Sequence, residues 1–388
     1  MKTAKIWAAL AAALLVLSSC QNAAVPQEPS TPSSAPTDSV PESSEEEGLV
    51  FDHSMALKYA KNFSVDYYKG GYKAVTIADG KKFLIVPEGA AAPENYDEDA
   101  VILQQPIKNL LVSSNPTVSL INALGELDAV SMTTTDTDAW YIDEVKSAMA
   151  EGKISYVGDG QELDYEAIAA GGVQLAVFSQ MLTEDVAAQL ENLGVNILVD
   201  HASAEEHPLA RVEWMKLYGA LFNEEEEADR LVREQDELVG SLAGQAPIDK
   251  TVSIFYITSS GSLYVRNADD YMAKMVGLAG GKYAHADLGA GKSGTTKMEL
   301  EAFYDIAKDA DAIIYVWSMG GRPASMADFL ERAEVLSDLK AVKEGNVWCT
   351  TPDYFQVSDT LGGMVSDIRL MLEADAGTDT LTYLNRLK

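Results

Sequence analysis

The stretch NLLVSSNPTVSLINALGELDAVSMTT, residues 109–134, reads as a short apolar strand, a helix with an early proline, and a second apolar strand. Further apolar runs at 154–158, 175–180 and 196–201 follow, separated by amphipathic segments of helical period. Strands and helices that alternate at this spacing predict a parallel sheet with helices on both faces. The region is therefore predicted to form a doubly wound α/β lobe.

A long helix-forming segment interrupts this alternation at residues 205–243, which contain only two glycines. Apolar side chains recur there at helical spacing, and a single helix of this length would be ~50 Å long. Alternation then resumes, beginning with the strand TVSIFYI at 251–257. We therefore predict two parallel-sheet lobes, residues 49–204 and 244–388, joined by one long linker helix over 205–243.

A β-rich segment precedes the first lobe's alternating strands. Residues 60–90 are rich in β-branched and aromatic side chains, with turn signals at Gly70-Gly71 and Asp79-Gly80. This pattern predicts a β-hairpin extension of the first lobe. Its role is open, and one interpretation is that it only extends the first sheet.

The beginning of the chain has the pattern of a lipoprotein signal peptide. Lys2 and Lys5 precede a twelve-residue apolar run, and Leu17-Ser18-Ser19-Cys20 follows it. That order of basic, apolar and small residues is typical of a secretory signal, and the cysteine at the cleavage point is the lipid attachment site. We predict a signal peptide over 1–19, with Cys20 lipidated and the protein held on the extracytoplasmic face of the cell membrane.

Residues 20–48 are predicted to be a disordered tether. They hold five of the chain's thirteen prolines, with many serines and glutamates and almost no large apolar side chains. Such a composition buries too little surface to offset the entropy of ordering the chain.

Composition and motifs exclude several classes of function. The formal net charge of −31 opposes binding to nucleic acid or to anionic lipid surfaces. No G-x-S-x-G nucleophile motif occurs, so no enzyme activity is predicted. The stretch GAGKSGTT at 289–296 lacks the first glycine of a phosphate loop, because Ala286 stands there, and it is interpreted as a flexible loop.

Several phrases together resemble the helix-linked substrate-binding lipoproteins of ABC importers, the group that captures ferric siderophores, haem and cobalamin. The resemblance covers 109–388, and no single phrase is a catalytic signature. It is carried by the order of SLINALGELDAVSMTT, YVGDG, LDYEAIAAGGVQLAVF, HPLARVEWMKLYGALF, MVGLAGGKY, MELEAFYDIAKDADAIIY, EGNVWCTTPDYFQ and LGGMVSDIRLML.

This resemblance implies a monomeric solute-binding protein without a cofactor, which delivers a chelated metal to an ABC permease and its ATPase. Two alternatives stay open: a sensor or adhesion module of the same fold, and a binder of free metal ions. Four scattered histidines without a histidine-rich loop favour a chelated metal over direct coordination by the protein.

A ligand cleft is expected between the lobes, at the carboxyl ends of the parallel strands. Aromatic walls and a few donors suit a flat or chelated ligand, although each aromatic could instead belong to the core. In the first lobe the candidates are Ser113, Ser114, Thr133, Thr134, Thr135, Trp140, and the run Ser179, Gln180 and Met181. In the second they are Tyr256, Ser259, Tyr264, Arg266, Tyr271, Trp317, Met319, Arg322, Tyr354 and Phe355.

His207 and Arg211 stand one turn apart at the start of the linker segment, near the expected lobe junction. Arg211 is a candidate for a charged contact with the ligand, and His207 for contact with a metal or carboxylate. The alternative for His207 is that the His-Pro pair only caps a helix.

The resemblance also implies one outward carboxylate on each lobe for docking to the permease. The matching phrases LDYEAIAA and MELEAFYD give Glu166 and Glu301, with Glu299 as a neighbour of the second. The alternative is that an acidic residue in the first turn simply favours the helix dipole.

Overall fold

The computed structural model describes most of the chain beyond the predicted tether. The predicted signal peptide, Cys20, nearly all of the tether and Met319 lie outside the described residues. Those residues are 48–94, 96–160, 162–317, 321–373 and 379–388. Within them, none of the helices is both long enough and apolar enough to cross a membrane.

The chain begins with a five-stranded sheet, which we call the N-terminal sheet. Its strands follow one another in space as in sequence: β1 Phe51–Ser54, β2 Phe63–Tyr68, β3 Lys73–Ile77, β4 Lys82–Val86 and β5 Val101–Gln104. The first four pair antiparallel, and tight turns at Gly71 and Gly80, both with positive φ, reverse the chain after β2 and after β3. The predicted hairpin over 60–90 is thus part of a larger sheet, which does not extend the first-lobe sheet.

The first lobe matches the strands predicted from the sequence. Its sheet is wholly parallel, in the spatial order β10-β9-β6-β7-β8. The strands are β6 Leu110–Val112, β7 Val130–Thr133, β8 Ser155–Tyr156, β9 Leu175–Ser179 and β10 Asn196–Asp200. The helices are α1 Asn115–Ala123, α2 Asp143–Ala150, α3 Tyr165–Gly171 and α4 Glu184–Asn192.

The single helix predicted over 205–243 is wrong, because this segment forms three helices. They are α5 Pro208–Glu213, α6 Met215–Phe222 and α7 Glu225–Ala243. Asn223 adopts a left-handed conformation that ends α6, and α7 then packs back against α6. Gly219 permits this contact, since a Cβ there would lie 2.8 Å from that of Ala228. Only α7, about 28 Å long, is a long helix.

The second lobe contains a seven-stranded sheet that is parallel at its centre. Strands β11 Thr251–Ile257, β15 Ala312–Tyr315 and β16 Val347–Thr350 are parallel. The antiparallel strands are β12 Leu263–Arg266, β14 Thr295–Met298 and β17 Leu384–Arg386, and the short β13 Lys282–Tyr283 pairs with β11. The α/β fold is confirmed, but this sheet is mixed rather than wholly parallel.

The second-lobe helices include one that packs against the linker. They are α8 Tyr271–Leu278, α9 Leu300–Ala307, α10 Met326–Leu330, α11 Lys340–Lys343 and α12 Leu361–Glu373. Helix α12 lies against α7, so α7 joins the second lobe to α6, which itself contacts the first lobe through α1. One apolar core runs from the N-terminal sheet through the first lobe and the linker to α12.

Candidate ligand-binding cleft

A cavity of about 660 Å³ opens between the two lobes. One wall carries residues that follow the parallel strands of the first lobe, namely Gln180, Ser203, Glu206 and Arg211. The opposite wall carries second-lobe residues, namely Arg266, Asp270, Tyr271, Tyr354 and Phe355. The volume falls in the range usual for small-molecule sites, and the position is the one expected for a two-lobed α/β protein.

Two arginines approach one aromatic ring in this cavity. The guanidinium carbon of Arg211 lies 3.6 Å from the ring centre of Tyr271, and that of Arg266 lies 6.0 Å from it. Arg211 also donates to the carbonyls of Ser203 and Glu205, at 2.6 and 3.2 Å. Burial lowers the pKa of Arg211, but a guanidinium stays charged at neutral pH. The cavity therefore presents two guanidinium groups, beside the carboxylates of Glu206 and Asp270.

Among the described residues, Arg266 has one charged partner. Its Nη1 lies 3.6 Å from the carboxylate of the buried Asp270, which also accepts the backbone N–H groups of Met272 and Gly294. The Nε atom of Arg266 is buried and finds no acceptor among the described residues. This guanidinium thus has donor capacity that the described part of the chain does not use.

Aromatic side chains form the far end of the cavity. The hydroxyl groups of Tyr271 and Tyr354 hydrogen-bond to each other, and Phe355 packs edge-on against Tyr354 with ring centres 4.7 Å apart. Tyr354 and Phe355 are placed by the 3₁₀ segment Pro352–Gln356, which directly follows β16. Burial raises the pKa of Tyr271, so its phenol is neutral at physiological pH and serves as a donor and an apolar face.

The lobes also touch beside the cavity. Lys274 on α8 pairs with Glu206 at 2.8 Å. The side-chain amide of Gln356 accepts from the backbone N–H of Tyr141 and donates to the carbonyl of Ala139, both at 2.8 Å. These polar contacts bridge the two lobes.

From the predicted set, the structure places six residues in the cavity lining: Gln180, Arg211, Arg266, Tyr271, Tyr354 and Phe355. Trp140 is a core side chain instead: it is 1% exposed, and its Nε1 donates to the carbonyl of Thr135. The sequence predicts that this ring lies in a loop after a strand, but it does not predict the direction in which the ring points.

His207 lies outside the cavity lining and caps a helix. Its Nδ1 accepts the backbone N–H of Leu209, and its ring stacks on Tyr59 of the N-terminal segment with centres 4.4 Å apart. Burial lowers its pKa. His207 therefore caps the start of α5, which is the alternative considered for the His-Pro pair.

The other predicted residues are also outside the lining. Met181 is 87% exposed, and its N–H is accepted by Ser179 Oγ. Tyr256 and Tyr264 stack on each other across β11 and β12, with ring centres 5.3 Å apart. Four more have local roles or face solvent: Ser114 precedes α1, Thr134 bonds Ser113, Trp317 packs against Tyr141, and Arg322 is exposed.

Five polar cavity residues were not predicted from the sequence: Ser203, Glu206, Asp270, Ser293 and Ser358. Asp269-Asp270, an acidic pair shortly after β12, was the available signal. Their carboxylates accept the N–H groups of Gly291 and Gly294 and so hold the loop at 289–296 against the cavity. The loop interpreted as flexible is therefore tied at two points and contributes to the cavity wall.

Two further predictions concern charge and metal. Glu166 and Glu301 are exposed, and each is the second residue of its helix, α3 and α9.

Across the described ranges, no group of three or more His, Cys, Asp or Glu side chains is arranged to hold a metal ion.

Two α/β lobes joined by a helical linker, with a polar and aromatic cleft between them, define a solute-binding protein. The sequence profile of the family described as periplasmic binding protein matches residues 112–354, more than half of the chain. The chain belongs to this family.

The chain is also similar to a lipoprotein and to two solved structures. An uncharacterized lipoprotein of Methanocaldococcus jannaschii is 28% identical over 326 residues, 78% of this chain and 77% of the relative. The petrobactin-binding protein YclQ of Bacillus subtilis is similar in structure, with a TM-score of 0.59 and 14% identity over 78% of this chain and 99% of that one. The periplasmic haem-binding protein HutB of Vibrio cholerae has a TM-score of 0.56 and 14% identity, covering 69% and 99%. At these identities the two structures establish the fold.

Proposed function

We propose that this protein captures an anionic metal chelate, a ferric siderophore or haem, and delivers it to an ABC permease from a lipid anchor. The observation that carries the proposal is the pair of guanidinium groups, Arg211 and Arg266, whose carbons lie 3.6 and 6.0 Å from the ring centre of Tyr271. Arginine pairs bidentately with carboxylates, and an aromatic face covers a flat or conjugated ligand. Haem propionates and siderophore carboxylates or catecholates supply the matching charge, and cobalamin, which carries no such acidic groups, fits the charge less well.

The neighbours support this ligand class. The names of the two structural neighbours describe one petrobactin binder and one haem binder. The lack of a protein metal cluster in the described residues is compatible with a metal that arrives inside its chelator.

Binding of a defined panel tests the proposal. The protein without residues 1–20 is titrated with haemin, cyanocobalamin and the ferric complexes of a hydroxamate, a catecholate and a carboxylate siderophore, with quenching of tryptophan fluorescence as the readout. We expect saturable binding of at least one anionic chelate. Each iron-free siderophore and the free ions Fe³⁺ and Zn²⁺ serve as controls. Binding of free metal alone, or of no panel member, would contradict the proposal.

Delivery requires a second experiment. Cells that lack this protein should lose uptake of the bound chelate and regain it when the full-length chain is restored. Normal uptake in its absence, with ligand binding intact, would favour a sensor of the same fold over a transport component.

A further inference from the structure

The N-terminal sheet lies outside the matched family region, residues 112–354, yet it is bonded to the segment that carries the cleft arginine. Residues 58–62, the loop that leads into β2, are held by two buried carboxylates. Glu213 accepts the backbone N–H groups of residues 58, 59 and 60 at 2.7–2.8 Å. Glu205 accepts those of residues 61 and 62 at 2.9 and 3.0 Å.

These carboxylates are well placed to fix both chain segments. Glu213 is 1% exposed and Glu205 is 3% exposed. A buried carboxylate is stable only when its oxygens are satisfied, and N–H donors to a charged acceptor form strong hydrogen bonds. The 58–62 loop therefore supplies donors that the linker segment needs, so the two segments hold each other in place.

From Glu205 the connection continues to the cleft. The backbone carbonyl of Glu205 accepts from Arg211 Nε at 3.2 Å, and the guanidinium then lies over Tyr271 of the second lobe. Displacement of Glu205 would thus move an acceptor that aims Arg211.

A second connection runs from the β3–β4 turn. His201 Nε2 donates to Asp79 at 3.3 Å, while its Nδ1 accepts from the side-chain amide of Gln180 at 2.8 Å. The amide oxygen of Gln180 in turn accepts from Ser203 Oγ at 3.2 Å. Gln180 and Ser203 both line the cavity, so Asp79 helps to fix two cleft side chains that it does not touch.

We propose that the N-terminal sheet is a positioning element of the cleft, which sets Arg211 through Glu205, and Gln180 and Ser203 through Asp79 and His201. By fixing these donors on one wall, it restricts which anionic chelates can be held. Glu205 and Asp79 are positioning residues, because each would affect the ligand only through these neighbouring side chains. The restriction on ligands rests on the proposed function, whereas the positioning itself does not.

The first test needs no ligand. Asp79→Asn keeps the turn acceptor for the N–H of Lys81 but removes the charge that faces His201. We expect faster hydrogen–deuterium exchange in the peptide that spans 200–211 and faster modification of Arg211 by phenylglyoxal, both read by mass spectrometry. Glu205→Gln should change these rates less than Glu205→Ala, because the amide oxygen can still accept. Lys81→Ala is the control, since Lys81 pairs with Glu191, outside the cavity lining. Rates in Asp79→Asn and both Glu205 variants equal to those of Lys81→Ala would overturn the proposal.

The second test separates positioning from general stability. With the tightest-binding chelate of the panel, Glu205→Gln or Asp79→Asn should weaken binding by up to about ten-fold, the effect of roughly one hydrogen bond. A double-mutant cycle with Arg211→Ala should show that the Glu205 effect disappears once the guanidinium is gone. Fully additive losses would overturn the route through Arg211. If no panel member binds but the exchange and modification rates change as expected, the proposed function fails and the positioning role stands.

Discussion

The guanidinium of Arg211 lies over the ring of Tyr271 with 3.6 Å between its carbon and the ring centre, and this contact joins the linker segment to the second lobe. A cation that faces an aromatic ring at this distance is stabilised by the ring quadrupole, the more so when desolvated. The same group is thus both a lobe-to-lobe contact and a proposed ligand donor. A ligand anion that pairs with Arg211 therefore acts where the two halves of the protein meet.

Loss of either cleft arginine should weaken ligand binding. Arg211→Gln and Arg266→Gln each remove a guanidinium next to the cavity, and we expect the affinity for an anionic chelate to fall by about 1–3 kcal/mol. Isothermal titration calorimetry measures the change. Arg233→Gln, at an exposed site on α7, is the matched control and should bind as the unmodified protein does. Unchanged affinity in both cleft variants would move the ligand elsewhere.

Trp140→Ala should unfold the protein more easily rather than alter the cleft directly. The ring is fully buried in the first lobe, so its removal leaves a cavity and is expected to cost about 3–5 kcal/mol. Urea denaturation followed by circular dichroism gives this value. Trp317→Ala, at a partly exposed ring, should cost clearly less, and equal losses would argue against the difference in burial.

The carboxylates at the starts of α3 and α9 are expected to act in transport only. Glu166→Ala combined with Glu301→Ala should sharply reduce cellular uptake, because rim charges govern the rate of association with a basic partner. Ligand affinity of the isolated protein should stay the same. Glu226→Ala with Glu237→Ala removes equal charge from the exposed side of α7 and should transport normally. Full uptake by the first double variant would leave only the helix-dipole role for both residues.

Cys20→Ala should abolish membrane attachment, because acylation requires that thiol. Fractionation of cells and the intact mass of the protein report the loss of the acyl chains. Cys349→Ala, which removes the other cysteine of the sequence, should stay anchored. A correctly processed and membrane-bound Cys20→Ala protein would refute the lipid-anchor prediction.

Acid should destabilise the protein partly through His285. This buried ring bonds Ser253 Oγ at 2.8 Å, and burial lowers its pKa from 6.5 to about 4. As pH falls through 6.5 the unfolded chain binds a proton before the folded one does, so stability is lost between about pH 6.5 and 4, with no further loss from this group below 4. The difference amounts to about 3 kcal/mol. His285→Gln should flatten the dependence of unfolding free energy on pH in that window, and an identical pH profile would contradict this assignment.

Several parts of the fold could be predicted because they depend on local pattern. The parallel strands of the first lobe are short apolar runs bounded by turn residues, and β9 and β10 appear where the sequence places them. The end of α6 at Asn223, which breaks the linker segment into separate helices, could not be predicted from local sequence pattern. Helix-forming residues continue across Asn223, and only packing of α6 against α7 shows that the chain reverses there.

The cleft was predictable in its location and in its charge but not in its full composition. Arg211, Arg266 and Tyr354 follow from strand ends and from the junction of the lobes. Of the predicted run Ser179 to Met181 only Gln180 lines the cavity, because adjacent residues in a loop point in different directions that sequence spacing does not determine. The N-terminal sheet was underestimated for a related reason. Its proposed contribution to the cleft depends on backbone N–H groups in residues 58–62, which side-chain composition does not reveal.

The single free cysteine within the described ranges, Cys349, lies buried in β16, and burial raises the pKa of its thiol to about 11. Such a thiol is almost entirely protonated at neutral pH and reacts slowly with maleimides. In a protein without residue 20, two cysteines introduced on opposite rims of the cleft would therefore take up fluorophores selectively. Energy transfer between them can then report the opening and closing of the lobes in solution, with the native core thiol left in place.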